Sequence, residues 1–301
     1  MGFSHRQILE YPIAIISESV LDLVPLLSSF RTLSLEPQAV ALPAGMCPHL
    51  VLLDGASPDL RVALLDELES TYVTGEPRGL LALLGSNAPV DQVASHLRSM
   101  MFRRKPGSDR YWIRLHDPRV FMHLPRILSP AQLHGLMGSI DVWCWRDLDL
   151  GTWTCTVRPA EDKPHDESWS ESQWDAVFRV ELVNRTAREI ARLAPGTLAS
   201  SALHERIDAA LRRAIEQEGM VSTEDQQAFA VDAVLHGDAL FLHPVMKRCL
   251  SDMRQSGGTY LGATADLDLE ALTRSMETAD QAAPESARRW PENEITGVGN
   301  V

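Results

Sequence analysis

Short apolar runs alternate with amphipathic segments between residues 50 and 157. The run at 49–54 is followed by Gly55 and the run at 79–85 ends at Gly85, and both predict buried strands. Residues 59–70 and 90–101 place their apolar side chains three and four positions apart, which is the spacing of one helix face. This alternation of strand and helix is the βαβ pattern typical of an α/β domain.

The same region predicts a third strand and a terminal hairpin. Residues 110–116 form another strand-like run, and Asp117 and Pro118 follow it. An aspartate can cap a helix whose first residue is proline, so we expect a helix to begin there. The runs at 140–145 and 152–157 predict an antiparallel hairpin that completes the sheet.

Helical spacing replaces strand patterns in the second half of the chain. A long helix is predicted from Trp174 to the Pro195–Gly196 pair, and another ends near Gly219. Residues 222–225 resemble a capping box that opens a third helix. Shorter helices are predicted at 245–253 and 266–276, whereas the glycine-rich stretch 256–262 is interpreted as a flexible connection.

These patterns predict an α/β N-terminal lobe joined to an all-α C-terminal lobe. The first lobe has a mixed sheet with flanking helices and a terminal hairpin, and the structure of residues 1–47 stays open. The predicted boundaries are 1–157 for the α/β domain, 158–173 for a polar linker, 174–276 for the helical lobe and 277–301 for a disordered tail.

The N-terminus and the cysteines indicate a soluble cytoplasmic protein. The apolar stretch 8–27 is interrupted by Glu10, Glu18 and Asp22, which do not suit a signal peptide or a membrane span. The four cysteines form no CxxC pair, so we expect reduced thiols. Cys144 and Cys155 can face each other across the predicted hairpin.

Charge is distributed unevenly along the chain. The 301 residues carry 28 Lys and Arg against 41 Asp and Glu, a net charge of −13 that disfavours nucleic acid and anionic membranes as partners. Residues 91–126 nevertheless hold eight basic and three acidic residues, a local charge of +5. This segment is either a solvated loop with internally paired arginines or a docking patch for an acidic or polar protein surface. The candidate partner-binding residues are Arg98, Arg103, Arg104, Lys105, Arg114 and Arg119.

No residue pattern indicates catalysis. Ser86, His116 and Asp117 are the most suggestive set, but adjacent residues of one strand point to opposite faces, so Asp117 would not orient His116. Ser86 also lacks the G-x-S-x-G elbow, and the histidines show no metal-ligand spacing. We therefore expect no catalytic residues, no metal and no cofactor. A small serine hydrolase using Ser86 with an unidentified histidine, or a regulatory small-molecule-binding protein, stays as an alternative.

Several short motifs, taken in order, resemble a known family. They are Leu52–Ala56, Gly79–Ser86, His96–Arg98, Arg114–Val120 and Leu128–Gln132. Over residues 48–145 they are similar to the domain of unknown function that marks bacterial type VI secretion adaptors, also called effector chaperones or Tap/TEC proteins. The most specific element is the Asp-Pro-Arg segment at Asp117, which stands between an aromatic strand and a Leu-x-Pro-x-Gln stretch.

This resemblance implies a non-enzymatic role. Adaptors of this kind hold a cognate toxic effector protein in the cytoplasm and assist its loading onto the VgrG spike protein, which they contact transiently. An α/β lobe followed by a helical lobe is also the layout of known members. The matching turn residues are expected to shape strand ends, and they are Asp54, Gly55, Gly85, Ser86, Asp117 and Pro118. The effector segment is expected in the groove between the lobes or on the basic strand-end surface.

Overall fold

The computed structural model describes residues 10–37, 40, 42–71, 79–146, 152–160, 168–197 and 200–282. The chain divides into two compact units. The N-terminal unit comprises Met1–Arg185 and Gly196–His204, and the C-terminal unit comprises Thr186–Pro195 and Glu205–Val301. An α/β N-terminal region followed by an all-helical region confirms the predicted fold class.

The described strands of the N-terminal unit form two sheets. The larger has six strands in the order β2-β3-β1-β4-β7-β8, and the smaller pairs β5 with β6. The strands are β1 (Ile13–Ser17), β2 (Arg31–Ser34), β3 (Pro48–Leu52), β4 (Leu80–Gly85), β5 (Phe102–Arg104), β6 (Arg110–Trp112), β7 (Val142–Arg146) and β8 (Trp153–Val157).

The βαβ interpretation of β3 and β4 needs one correction. Every pair of neighbouring strands in the large sheet is antiparallel. β3 and β4 run in the same direction, but β1 lies between them, with Ile13 opposite both Leu52 and Leu84. The result is a split β-α-β unit, because β1, from the segment left open at the sequence level, supplies the central strand.

Three helices of the N-terminal unit begin close to their predicted positions, and two further ones after residue 121 were not predicted. In chain order the helices are α1 (Pro58–Ser70), α2 (Val90–Met100), α3 (Pro118–Phe121), α4 (Leu124–Ile127) and α5 (Pro130–Met137). Ser57 and Ser129 cap α1 and α5, and Ser129 forms a complete capping box with Gln132. Asp117 caps α3, whose first residue is Pro118, as predicted.

Two apolar layers cover the large sheet. Ile13 and Ile15 point into a cluster that includes Val93, Leu97 and Trp143. Their neighbours Ala14 and Ile16 point to the other face, which contains Leu64, Leu65 and Leu68 of α1. Burial on both faces explains why β1 and β4 have continuous apolar sequences without alternation.

The predicted third strand, residues 110–116, is not part of the large sheet. Only Arg110–Trp112 is a strand, and it forms a small hairpin with β5. Ile113 and Leu115 then enter the core of the N-terminal unit. Their apolar character comes from this burial, so the run resembles a longer strand than the one that forms.

The helical region starts with α6 (Glu171–Leu193), which contributes residues to both units. It continues with α7 (Ser201–Glu216), α8 (Thr223–His236), α9 (Pro244–Ser256), α10 (Tyr260–Thr264) and α11 (Leu269–Ala282). The predicted tail is wrong for residues 277–282, which extend α11, and residues 283–301 lie outside the described residues.

The glycine-rich connection 256–262 contains a core residue of the C-terminal unit. Gly257 ends α9 in the left-handed region, and Thr259 caps α10. Tyr260 is fully buried against Phe229, and its hydroxyl donates to Asp232 Oδ2 at 2.7 Å. The segment is therefore an ordered turn held by a buried tyrosine.

Cys144 and Cys155 are direct cross-strand neighbours on β7 and β8, where a disulfide joins them. The expectation of four reduced thiols is therefore wrong for this pair, while Cys47 and Cys249 are free. Among the described residues, no helix is both long and apolar enough to cross a membrane.

Candidate functional site

The family-like turn residues at the ends of β3 and β4 lie at one edge of the large sheet. Since both strands are antiparallel to β1, their carboxyl ends share that edge. Asp54 accepts a hydrogen bond from its neighbour Gly55, whose φ of +85° suits glycine. A Cβ at Gly85 would lie 3.4 Å from Val142 Cβ and 3.6 Å from the Tyr11 ring, which are ordinary packing distances. These residues lie in turns and packed contacts at the strand ends.

Ser86 has the contacts of a turn residue. Its hydroxyl donates to the carbonyl oxygen of Ser139 at 2.7 Å and accepts from the amide of Ala88 at 3.1 Å. A nucleophilic serine instead donates to a general base such as an imidazole. This arrangement stabilises the link between β4 and α2.

The Asp-Pro-Arg segment forms a compact charge cluster. Asp117 is only 4% exposed, and its carboxylate accepts from Arg119 Nε at 3.0 Å and from Arg119 Nη2 at 2.8 Å. The backbone amide of Arg119 donates to the same carboxylate, and Arg114 Nη2 lies 3.6 Å from it. Asp117 thus caps α3 and forms an ion pair with each of the two arginines.

Two titrating groups in this segment have shifted pKa values. Burial alone would raise the pKa of Asp117, but the hydrogen bonds and positive charges of Arg119 and Arg114 lower it overall. The pKa of His116 falls to about 4, chiefly because its imidazole is desolvated, and its Nδ1 is buried without a hydrogen-bond partner. His116 is therefore neutral at physiological pH, and Asp117 is ionised.

Within the N-terminal unit, a buried polar network connects Arg119 to His123 through Asn184. Asn184 donates to the Arg119 carbonyl at 2.9 Å, and its Oδ1 lies 2.8 Å from His123 Nε2. The Arg126 guanidinium, which can only donate, is 3.0 Å from His123 Nδ1. His123 therefore carries its proton on Nε2 and donates it to Asn184. Its ring also packs against that of His204 at 4.8 Å.

One face of the β5–β6 hairpin packs on the beginning of α6. Lys105 Nζ is 2.8 Å from Glu171 Oε1 and 3.7 Å from Asp175 Oδ1. The Arg103 guanidinium lies 5.2 Å from the ring centroid of the buried Trp169. Two of the six candidate docking residues are therefore used in attaching the hairpin to the rest of the unit.

The opposite face of the hairpin carries uncompensated charge. Arg104 and Arg110 are exposed and directly paired across β5 and β6. Neither side chain makes a hydrogen bond or an ion pair within the described part of the chain. We name these two residues the arginine pair.

The candidate set therefore separates into paired residues and one free residue. Arg98 donates through Nε to the Ser34 carbonyl oxygen at 3.2 Å, which ties α2 to β2. Arg114 and Arg119 bind Asp117, and Arg103 and Lys105 hold the hairpin. Only Arg104 stays available, and its partner in the arginine pair, Arg110, was not among the candidates although it belongs to the basic segment.

A glutamine pair that the sequence did not predict joins α5 to the start of α6. Gln132 and Gln173 donate to each other, with Nε2 to Oε1 distances of 3.1 and 2.6 Å. Gln173 also reaches the Ile127 carbonyl oxygen at 3.0 Å. Gln132 lies in the family-like stretch. Gln173 is the last residue of the predicted linker and belongs to α6, and no sequence motif identified it.

The described ranges contain clefts but no cluster of metal-ligating side chains. They contain no group of three or more His, Cys, Asp or Glu side chains placed to hold a metal ion. Two open clefts lie in the C-terminal unit; Arg213 and Asp238 are among the residues that line one, and Glu218 is among those that line the other. Arg213 pairs with both Glu218 and Asp238, so the charge of Arg213 is already compensated.

Comparison with known families agrees with the motif positions. Residues 30–135 match the model of a domain of unknown function, DUF4123. The DUF4123 match includes β2 through most of α5, and it therefore starts before the 48–145 stretch that carries the motif resemblance and ends within it. It covers the basic segment, the Asp117 cluster and the arginine pair. No curated protein and no solved structure matches the chain.

Proposed function

We propose that this protein is a type VI secretion adaptor that binds a cognate toxic effector in the cytoplasm and assists its loading onto VgrG, without catalysing a reaction. The observation that carries this proposal is the match of residues 30–135 to the DUF4123 domain, over the same motifs that resemble the adaptor family. The finer assignment to secretion rests on that resemblance.

The roles of the motif residues support a binding function. Ser86 donates its hydroxyl to a backbone carbonyl, and Asp117 is occupied by Arg119 and Arg114. His116 has no contact that would make it a general base for Ser86, because its partners in the described structure are the Trp112 ring and its charged neighbours. These contacts give Ser86, His116 and Asp117 turn and packing roles, which favours a binding function over catalysis by this set.

Co-purification from the native bacterium tests the proposal. The tagged full-length chain is expected to capture the product of the neighbouring effector gene, and a VgrG protein under crosslinking because that contact is transient. A matched Ser86→Ala variant is expected to capture the same effector in the same amount. Failure of the wild-type chain to capture any effector or spike protein would contradict the adaptor role.

A further inference from the structure

We propose that the arginine pair, Arg104 and Arg110, binds a carboxylate-bearing segment of a protein partner. This inference deepens the proposed function, on which it rests for the identity of the partner as the effector. It assigns the contact to two residues of one small hairpin and names the chemistry that they recognise.

The hairpin register places both guanidinium groups on one face. Arg104 is opposite Arg110, and Phe102 is opposite Trp112, two residues away on each strand. Side chains two residues apart on a strand share a face, so the arginine pair stands beside these two partly buried rings. The face therefore combines two cations with an apolar floor.

The charges on this face are not compensated within the described residues. On the other face, Lys105 has Glu171 and Asp175 as partners. The nearest acid in sequence to the arginine pair is Asp109, which is exposed and pairs with neither arginine. Like charges directly opposite each other in a sheet destabilise it, so an incoming anion would relieve a repulsion that the free protein retains.

Guanidinium geometry favours a carboxylate as that anion. Each arginine offers planar, forked donors that match the two oxygens of a carboxylate, and such charge-assisted hydrogen bonds are strong. Two guanidinium groups side by side can bind one carboxylate between them or two successive acidic side chains.

The charge of the rest of the chain and the apolar rings beside the arginine pair both favour an acidic protein segment as the ligand. Outside residues 91–126 the chain has 20 basic and 38 acidic residues, a charge of −18 that opposes a long phosphate polymer. A short acidic segment carries few negative charges and places them only on this face, so it is repelled less than a long phosphate polymer. An apolar residue next to its carboxylates would also pack on Phe102 and Trp112, which a nucleic-acid backbone would not do.

A peptide titration tests the arginine pair directly. The full-length protein is titrated with a short fluorescein-labelled peptide of glutamate and leucine, and the same peptide with glutamine in place of glutamate is the control. The variant R104E/R110E is expected to bind the glutamate peptide at least about tenfold more weakly than the wild type. R104Q/R110Q, which removes charge without reversing it, is expected to lose affinity in the same direction.

K247E/R248E is the matched control variant. Lys247 and Arg248 are exposed in the C-terminal unit and make no side-chain pair in the described structure, and their reversal changes the net charge by the same amount. We expect this variant to keep wild-type affinity within about twofold. Equal loss in both double variants, unchanged binding by R104E/R110E, or tighter binding of single-stranded DNA than of the peptide would overturn the proposal.

Effector capture separates this inference from the adaptor role. R104E/R110E is expected to capture less effector than K247E/R248E does from the same lysate. Normal capture by a folded R104E/R110E variant would overturn the assignment of the arginine pair to effector binding and leave the adaptor role intact. If the wild type captures no effector, the adaptor role fails, and the peptide titration still decides whether the arginine pair binds carboxylates.

Discussion

The Arg119 guanidinium donates two hydrogen bonds, of 3.0 and 2.8 Å, to the carboxylate of Asp117. The backbone amide of Arg119 donates to the same carboxylate. One buried side chain therefore fixes both the start of α3 and the position of an arginine. We predict that Asp117→Ala lowers the free energy of unfolding by about 2–4 kcal/mol, because the cap and the paired charges are lost together. Urea denaturation measures this change.

Asp109→Asn serves as the control for that substitution. Asp109 is exposed and has no side-chain pair in the described structure, so the change should cost less than about 0.5 kcal/mol. The lowered pKa of Asp117 means that its contribution is present above the unfolded-state pKa and is lost as the pH falls through the folded-state value. Equal stability of wild type and Asp117→Ala at neutral pH would contradict this role.

His116 predicts a second, separate dependence of stability on pH. Its pKa is about 4 in the folded protein and 6.5 ordinarily, so the unfolded chain takes up a proton first as the pH falls. The free energy of unfolding should decrease by up to about 3 kcal/mol between pH 6.5 and 4 because of this group. His116→Gln should flatten the curve within that window, and a curve of unchanged slope would disprove the assignment.

Gly79 and Gly55 have similar backbone angles but differ in the space available for a Cβ atom. Their φ values are +75° and +85°, but a Cβ on Gly79 would stand 2.7 Å from the Leu68 carbonyl oxygen, whereas Gly55 has nothing within 4 Å. Both alanine substitutions pay the cost of positive φ, and only Gly79→Ala adds a backbone clash. We expect Gly79→Ala to cost about 1–2 kcal/mol more in thermal denaturation. Equal costs would contradict a steric restriction at Gly79 by the Leu68 carbonyl oxygen.

The arginine pair makes a stability prediction that does not need a partner. Arg104→Glu places a carboxylate opposite Arg110, so this single variant should be more stable than the wild type by about 0.2–1 kcal/mol. Arg110→Glu should behave alike, and the double variant should lose the gain because like charges face each other again. A double-mutant cycle in urea at low salt measures the coupling. Purely additive effects would show that the two side chains do not interact.

Much of the sheet and its helices could be predicted because local patterns determine them. Leu80–Gly85 is apolar on both faces and ends at glycine, and Asp117–Pro118 carries its own capping signal. β1 could not be identified as a strand, since Ile13–Ser17 lies within a longer apolar stretch and its central place depends on pairing with two distant strands.

The candidate site was predicted less well than the fold. The basic segment was visible as charge, but the pairing of Lys105 with Glu171 and of Arg103 with Trp169 joins residues far apart in sequence. Only the hairpin register shows that Arg104 faces Arg110 and not an acid. Net charge therefore located the region, and tertiary contacts decided which of its residues are free.

Secretion of the neighbouring effector is the most direct test of the adaptor role. In a strain lacking this gene, we predict that the effector still accumulates in cells but is absent from the secreted fraction, while other substrates of the same secretion system are released normally. Complementation with the wild-type or the Ser86→Ala gene should restore secretion. Normal effector secretion in the deletion strain, or failure of a folded Ser86→Ala protein to restore it, would contradict a non-enzymatic adaptor.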